Sequence, residues 1–456
     1  MAKKKKAILT LALIPILLIA FGIGWFLTVI FEGEKPEVNV PPLPEFLSKE
    51  ESFSLELLDR KRGLKEVAVT LAQEGREVVI HREKFPFKGL LNRKGTHQLR
   101  KDLSIDPLGL NLAQGRVDLV VKAWDYSRRG GGDGNLSLLR RKMVVDTIPP
   151  ALRSLSRMHN VNMGGAGLVV YQTSSDALES GLMLNDFFFP GFAARERAEE
   201  GVHVVYFSMP RRLDSEPSLL LRAKDRAGNL SKSGFYYHIR KRKFRHEIIN
   251  ITDRFLKKVL PFFSNYPFNP EDSDIKRYIV INNELRKQNH KTLFDLRDKT
   301  SPERMWEGPF LRLKNAATMA RFGDRRSYYY KREKVDEQTH LGVDLASLAS
   351  SPVPAANHGR VIFAGELGIY GNTVVLDHGQ GLMSLYGHLS KTEVTLEQSV
   401  RKGDIIGYTG QTGLAGGDHL HFGIMVNGTF VNPIEWWDNH WIQDNIERKL
   451  ALLKTN

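Results

Sequence analysis

A stretch without one charged side chain runs from Ala7 to Phe31, and no other feature constrains this chain as strongly. Inside a bilayer every backbone N–H and C=O must be bonded within its own segment, so a run of this kind crosses only as a helix. At ~1.5 Å per residue it is long enough for a hydrocarbon core of ~30 Å. Lys3 to Lys6 precede the run and Glu32 ends it. The apolar part of a secretory leader is only ~7–15 residues long, and no small-x-small cleavage site closes this one. The expectation is therefore an uncleaved, single-pass anchor. The lysine cluster stays in the cytoplasm and everything after Phe31 is exported. Pro15, Gly22 and Gly24 are tolerated in a spanning helix.

A length of 456 residues is too great for one ordinary core. With 41% hydrophobic and 26% charged residues the chain is globular rather than disordered. It has no cysteine, so disulfide frameworks and thiolate metal sites are excluded; a metal must be held by His and carboxylates. The net charge of +14 is uneven. From His340 to His440 there are four Lys and Arg against nine Asp and Glu, a net of −5, which leaves +19 elsewhere. The exported middle is basic and suits anionic partners such as wall carboxylates or lipid headgroups. No nucleic-acid recognition motif is present.

The pattern along the chain predicts a mainly β, multidomain protein. After residues 1–31, the cytoplasmic tip and anchor, Pro36, Pro41, Pro42 and Pro44 mark an extended stalk over 32–50. Val67, Val69 and Leu71 alternate with other residues, as do Val117, Leu119 and Val121, and this signals strands. Ala123-Trp124-Asp125 with Gly134-Asn135 is echoed by Ala223-Lys224-Asp225 with Gly228-Asn229. Such residues suit hairpin turns better than a calcium site. Two β-sandwich modules are expected, 51–148 and 149–245, similar to the immunoglobulin-like (Ig-like) modules of bacterial surface proteins. Ile248, Ile251, Phe255 and Val259 then fit a helical face, and Asp274–Asp298 reads as a second helix. This makes 246–308 a helical connector. Short strands and glycine turns follow over 309–440, and 441–456 closes the chain as a helix.

Half of the fourteen histidines lie between His340 and His440. His340 and Asp344 are four apart; His419 and His421 are two apart. On strands, even spacings share a face, so both pairs can project into one groove while Leu420 and Phe422 turn to the core. Three protein ligands would leave the fourth position of tetrahedral zinc to water, the mark of a catalytic site. The water then needs a base within hydrogen-bond reach. No His-Glu-x-x-His motif is present, so His388 and His419 are the candidates, and either also suits donation to an oxyanion.

Residues 322–433 resemble the LytM-type peptidases, the M23 family of zinc cell-wall endopeptidases. Phe322-Gly323-Asp324-Arg325-Arg326 looks like the family's opening Phe-Gly-x-Arg element, and His340-Leu341-Gly342-Val343-Asp344 matches its His-x-Gly-x-Asp motif. Tyr370-Gly371-Asn372, Asp377-His378-Gly379, Tyr386-Gly387-His388 and Thr409-Gly410-Gln411-Thr412-Gly413 follow in order before His419-Leu420-His421. The resemblance implies one Zn2+ per chain on His340, Asp344 and His421, with His388 and His419 as the catalytic pair. It also implies an antiparallel β-sheet domain that cuts peptide bonds in peptidoglycan. Gln338 stands where the family often has glycine. Asp377, His378 and Asn372 suit turn roles, and Trp436 and Trp437 suit a core. Envelope proteins are candidate partners of the β modules, and the segment 271–335 is placed to cover the groove. Rival readings are a non-catalytic LytM-type activator of another hydrolase, a biotinyl-carrier-like domain, which would need a hairpin-tip lysine that is missing, and a scaffold with a vestigial peptidase.

Overall fold

The computed structural model describes residues 2–213 and 215–454. The helix Ala2–Ile30 opens the chain, and its window Leu13–Ile30 has a mean hydropathy of 2.5 with none of it buried. One helix of that length and composition fits a signal anchor or a membrane span.

The rest divides into two compact units, Met1–Pro149 with Arg226–Asn229 and Pro150–Asp225 with Leu230–Asn456. In the first, a three-stranded sheet (Glu37–Asn39, Glu51–Leu58, Gln98–Ile105) faces a five-stranded one built on Leu64–Gln73 and Gly115–Asp125. The alternating residues meet as expected: Val69 lies opposite Val121 and Leu71 opposite Leu119, and all are buried with Phe53, Leu55 and Leu57 between the sheets. The segment expected as a stalk is built into this unit. Glu37–Asn39 pairs with Glu51–Leu58, and Phe46–Leu47 pairs with Leu136–Val145. Pro36 stands just before the first of these strands and Pro41, Pro42 and Pro44 lie between the two, where a missing N–H costs no ladder bond. Asp125 is a turn residue, with its Oδ1 accepting from the Ser127 and Asn135 amides.

In the second unit, two four-stranded sheets are built on Ala166–Thr173 with Val202–Ser208 and on Ala177–Leu184 with Leu219–Asp225. The expected helical face over Ile248 and Ile251 is not helical there. His246–Ile251 is a strand parallel to Arg325–Tyr330, because consecutive β-branched residues find a ready sheet edge. The helix begins only at Asp253, capped by Thr252 Oγ1. A second helical stretch runs from Asp274 to Asp295 through one π turn at Ile281–Leu285. The C-terminal sheet has eight strands. Its centre is Val343–Ala346, Leu420–Val426, Leu382–Leu389 and Asn372–Asp377, antiparallel throughout. One core joins this domain to the preceding module. Leu168, Val170, Val204 and Tyr206 pack in the same cluster as Trp436, Ile442 and Ile446. The end of the chain, expected as a separate helix, is therefore part of that core, with Lys449 Nζ donating to Leu168 O at 3.0 Å.

Candidate metal centre

Sheet register assembles the site. Asp344 lies directly opposite His421, and His421 opposite Gly387 on its other side. The strand Leu382–Leu389 therefore delivers His388 beside His421. His388 has φ 61, a left-handed conformation unusual for a residue with a Cβ, and this turns its ring into the groove. His340 is not on a strand as the spacing suggested; it sits in the loop between Glu333–Thr339 and Val343–Ala346. Gly342 makes that loop possible, since a Cβ there would lie 2.5 Å from His421 Nε2 and 2.8 Å from the Phe422 carbonyl.

Three donor atoms converge. His340 Nε2 is 2.9 Å from Asp344 Oδ1 and 3.1 Å from His421 Nδ1, and His421 Nδ1 is 2.9 Å from Asp344 Oδ1. All three residues are buried. His340 Nδ1 lies 3.0 Å from the Arg321 carbonyl, which can only accept, so Nδ1 carries a proton and Nε2 faces inward. Donor atoms this close repel unless a proton or a metal cation lies between them. Donors on tetrahedral zinc at ~2.0–2.1 Å are ~3.3 Å apart, close to this triangle, so the donor set fits the ion. Arg326 Nη2 holds the other Asp344 oxygen at 3.2 Å. Burial alone would raise the Asp344 carboxyl; the imidazoles of His340, His419 and His421 hold it well below the usual carboxylate range.

The two further histidines flank this triangle. The His388 ring centre is 4.8 Å from that of His419 and 5.8 Å from that of His421. His388 Nδ1 donates to Thr412 O at 2.8 Å and His419 Nδ1 to Gly417 O at 2.9 Å, so both rings turn Nε2 toward the site, that of His419 lying 3.6 Å from Asp344 Oδ1. Burial pushes the His388 imidazolium well below its ordinary range. All five residues named from sequence line one cavity of about 250 Å³. Phe255, Tyr278, Asn282 and Arg286 of the helices line one side of it, and Arg326, Tyr328 and Tyr370 are among its other walls. Lys258 Nζ ties the first helix to Gly416 O at 2.8 Å, and Asn289 Oδ1 takes the buried Ile369 amide at 2.9 Å.

Sequence reasoning assigned no site role to Arg326, Tyr370 or Thr412. All three lie inside recognised motif elements, but nothing in their spacing shows what they touch. Asp377 is fully buried and accepts from Thr300 Oγ1 and the Ser301 and Gly379 amides. Tyr386 is a core residue whose hydroxyl takes the Ala356 amide. Gln338, in place of glycine, bonds Asn283 Oδ1 at 2.9 Å and so joins the hairpin to the helix.

The description of Peptidase family M23 matches residues 338–433. The C-terminal part of the chain is thus an M23 peptidase domain, the class that the sheet and its His-Asp-His cluster define. Over 95 residues the chain is 42% identical to the DD-carboxypeptidase/endopeptidase Mpg of Neisseria meningitidis, covering 21% of this chain and 22% of that one. It is 39% identical to the murein hydrolase activator EnvC of Escherichia coli over 95 residues, 21% of this chain and 23% of that one. The chain therefore spans less than a quarter of the length of these curated relatives. The catalytic domain of the antimicrobial peptidase lysostaphin from Staphylococcus simulans is 30% identical, covering 29% of this chain and 98% of that one, with a TM-score of 0.25.

Proposed function

We propose that the protein is a membrane-anchored zinc metalloendopeptidase that hydrolyses peptide bonds in the stems or cross-links of bacterial peptidoglycan. The observation that carries this reading is the triangle of His340 Nε2, Asp344 Oδ1 and His421 Nδ1 at 2.9–3.1 Å with two further imidazoles beside it. These three atoms would hold the zinc. Bound there, the ion supplies Lewis acidity, lowering the pKa of a water and polarising the scissile carbonyl. The chain's own residues supply the proton transfers. His388 and His419 present Nε2 to the site because Thr412 O and Gly417 O occupy their Nδ1 protons. Either Nε2 accepts a proton from the attacking water and, once protonated, donates to the developing oxyanion or the leaving amine. Arg326 orients Asp344 through its other carboxylate oxygen. The β modules, read as Ig-like, and the helical connector set the reach of the domain from the bilayer and offer surfaces to envelope proteins.

The experiment is digestion of defined cross-linked muropeptides by zinc-loaded full-length protein, read by mass spectrometry together with metal analysis. About one zinc per chain and cleaved peptide bonds are expected. Bound zinc with intact muropeptides, alongside activation of a separate wall hydrolase, would sink the enzymatic reading in favour of an activator such as the EnvC relative is named to be.

A further inference from the structure

The apolar helix does not run into a free linker. The Arg128 amide donates to Ile30 O at 2.9 Å, and Ser127 Oγ and Asn135 Nδ2 donate to Glu32 O at 2.8 and 3.1 Å. The residues that follow the apolar window are thereby fixed to one end of the first sandwich. Three loops make up that end: 59–63, 85–97 and 126–135. They are locked together. The Tyr126 amide donates to Gly63 O at 3.1 Å, Asn92 Nδ2 to Arg62 O at 2.7 Å and Arg62 Nη1 to Leu91 O at 3.0 Å. The Phe87 ring packs edge-on against Tyr126 with centroids 5.2 Å apart.

The surface of this end is unlike the rest of the module. Phe87 is 49% and Leu90 77% exposed. Lys88, Arg93, Lys94, Arg128 and Arg129 are exposed around them, and the loop 85–97 contains no acidic residue. At the opposite end, the loop 105–115 also exposes a leucine, Leu108 at 67%, but carries Asp106 and no Lys or Arg. Apolar side chains ringed by cations suit a lipid–water interface, where the former reach the acyl boundary and the latter meet phosphates. The location agrees. The headgroup layer is only ~5–8 Å deep on each side of the hydrocarbon core, and a loop bonded to the last carbonyl of a spanning window lies within it.

We propose that this end of the first module docks on the bilayer surface, with Phe87 and Leu90 at the acyl boundary and the five basic residues on anionic headgroup phosphates. The inference rests on reading the helix as a membrane anchor. It replaces a loose tether with a module standing on the membrane, each basic residue strengthening its hold on an anionic surface by about fivefold.

The chain has no cysteine, so single labels report one place each. Full-length Leu90→Cys, Leu108→Cys and Ile19→Cys proteins, carrying an environment-sensitive fluorophore, are reconstituted in vesicles of phosphatidylcholine alone or mixed with phosphatidylglycerol. The Ile19 and Leu90 labels should shift to the blue and be quenched by spin-labelled lipid, Leu90 more in the anionic vesicles. The Leu108 label should be quenched only by aqueous iodide. Adding Lys88→Glu, Arg93→Glu and Lys94→Glu should return the Leu90 label to the behaviour of Leu108. A lipid-buried Ile19 with a Leu90 as aqueous as Leu108 overturns the docking and leaves the anchor standing. An aqueous Ile19 overturns both. Equal quenching of Leu90 in neutral and anionic vesicles overturns the assignment of anionic headgroups.

Discussion

At the scale of single residues, the five imidazole and carboxylate groups divide by what each touches. His340 reaches two other donor atoms, whereas His388 bonds only a backbone carbonyl. His340→Ala should therefore abolish both zinc and turnover. His388→Ala should keep about one zinc and lower turnover by ~10²–10⁴-fold, the usual worth of a general acid or base. Metal analysis beside a muropeptide assay separates the two, and a His388→Ala protein without zinc would move His388 into the ligand set. Gly342 tests the packing behind the triangle. Its missing Cβ leaves room for the His421 ring and the Phe422 carbonyl. Gly342→Ala should cost ~1–3 kcal/mol in overpacking and reduce zinc content, both readable from a melting curve and metal analysis. Wild-type values for both would mean the ring can step aside.

At the scale of elements, the helices line one side of the groove. Tyr278 is 2% exposed and packs edge-on against Phe255 and Tyr328 over the cavity. The π turn at Ile281–Leu285 brings Asn282 and Arg286 onto the same side. Four of the five site residues are buried, and we propose that the helices hold the groove in a resting state. Tyr278→Ala combined with Lys258→Ala should raise kcat/KM on muropeptides, at a stability cost of ~3–5 kcal/mol from the lost ring. Unchanged or lower kcat/KM in a folded variant would show that the helices do not limit entry. A truncation starting near Pro309 would also remove packing from the domain. Thr300 and Ser301 cap the buried Asp377, and Trp306 belongs to the core.

At the scale of the whole molecule, the peptidase domain and the module before it share one compact unit and one core. Glu435 fastens them: it is 5% exposed, with Oε1 taking Asn162 Nδ2 at 2.7 Å and Oε2 the Ala166 amide at 3.0 Å. Burial raises its pKa from 4.5 to about 7, against the pull of those hydrogen bonds. The folded state thus keeps a proton up to about pH 7 that the unfolded chain gives up near 4.5. Between those values folding takes up the proton, so this group's contribution to stability falls as pH rises. The total loss is on the order of 3 kcal/mol once pH passes about 7. Other buried groups titrate nearby, so the difference between wild type and Glu435→Gln isolates the effect. That difference in melting temperature should change across pH 4.5–7 and level off above; a flat difference would mean the carboxyl is ionised throughout.

The sequence by itself determined the helix, the alternation of the first sandwich and the nearness of His340 to Asp344. Each depends on what lies close along the chain. An uncharged stretch has one solution in lipid, Val67, Val69 and Leu71 share a face by geometry, and His340 with Asp344 needs one short loop. Only the tertiary structure decided the rest. Ile248 and Ile251 fit a helix equally well until a parallel partner strand was there to take them. The prolines after the anchor suggest a stalk until their neighbours pair with distant strands. Register across Val343–Ala346, Leu420–Val426 and Leu382–Leu389 brought His388 to a site far from it in sequence. The helices over the groove and the core shared through Glu435 arise in the same way, from surfaces that meet only when distant segments pack, a fact no local spacing records.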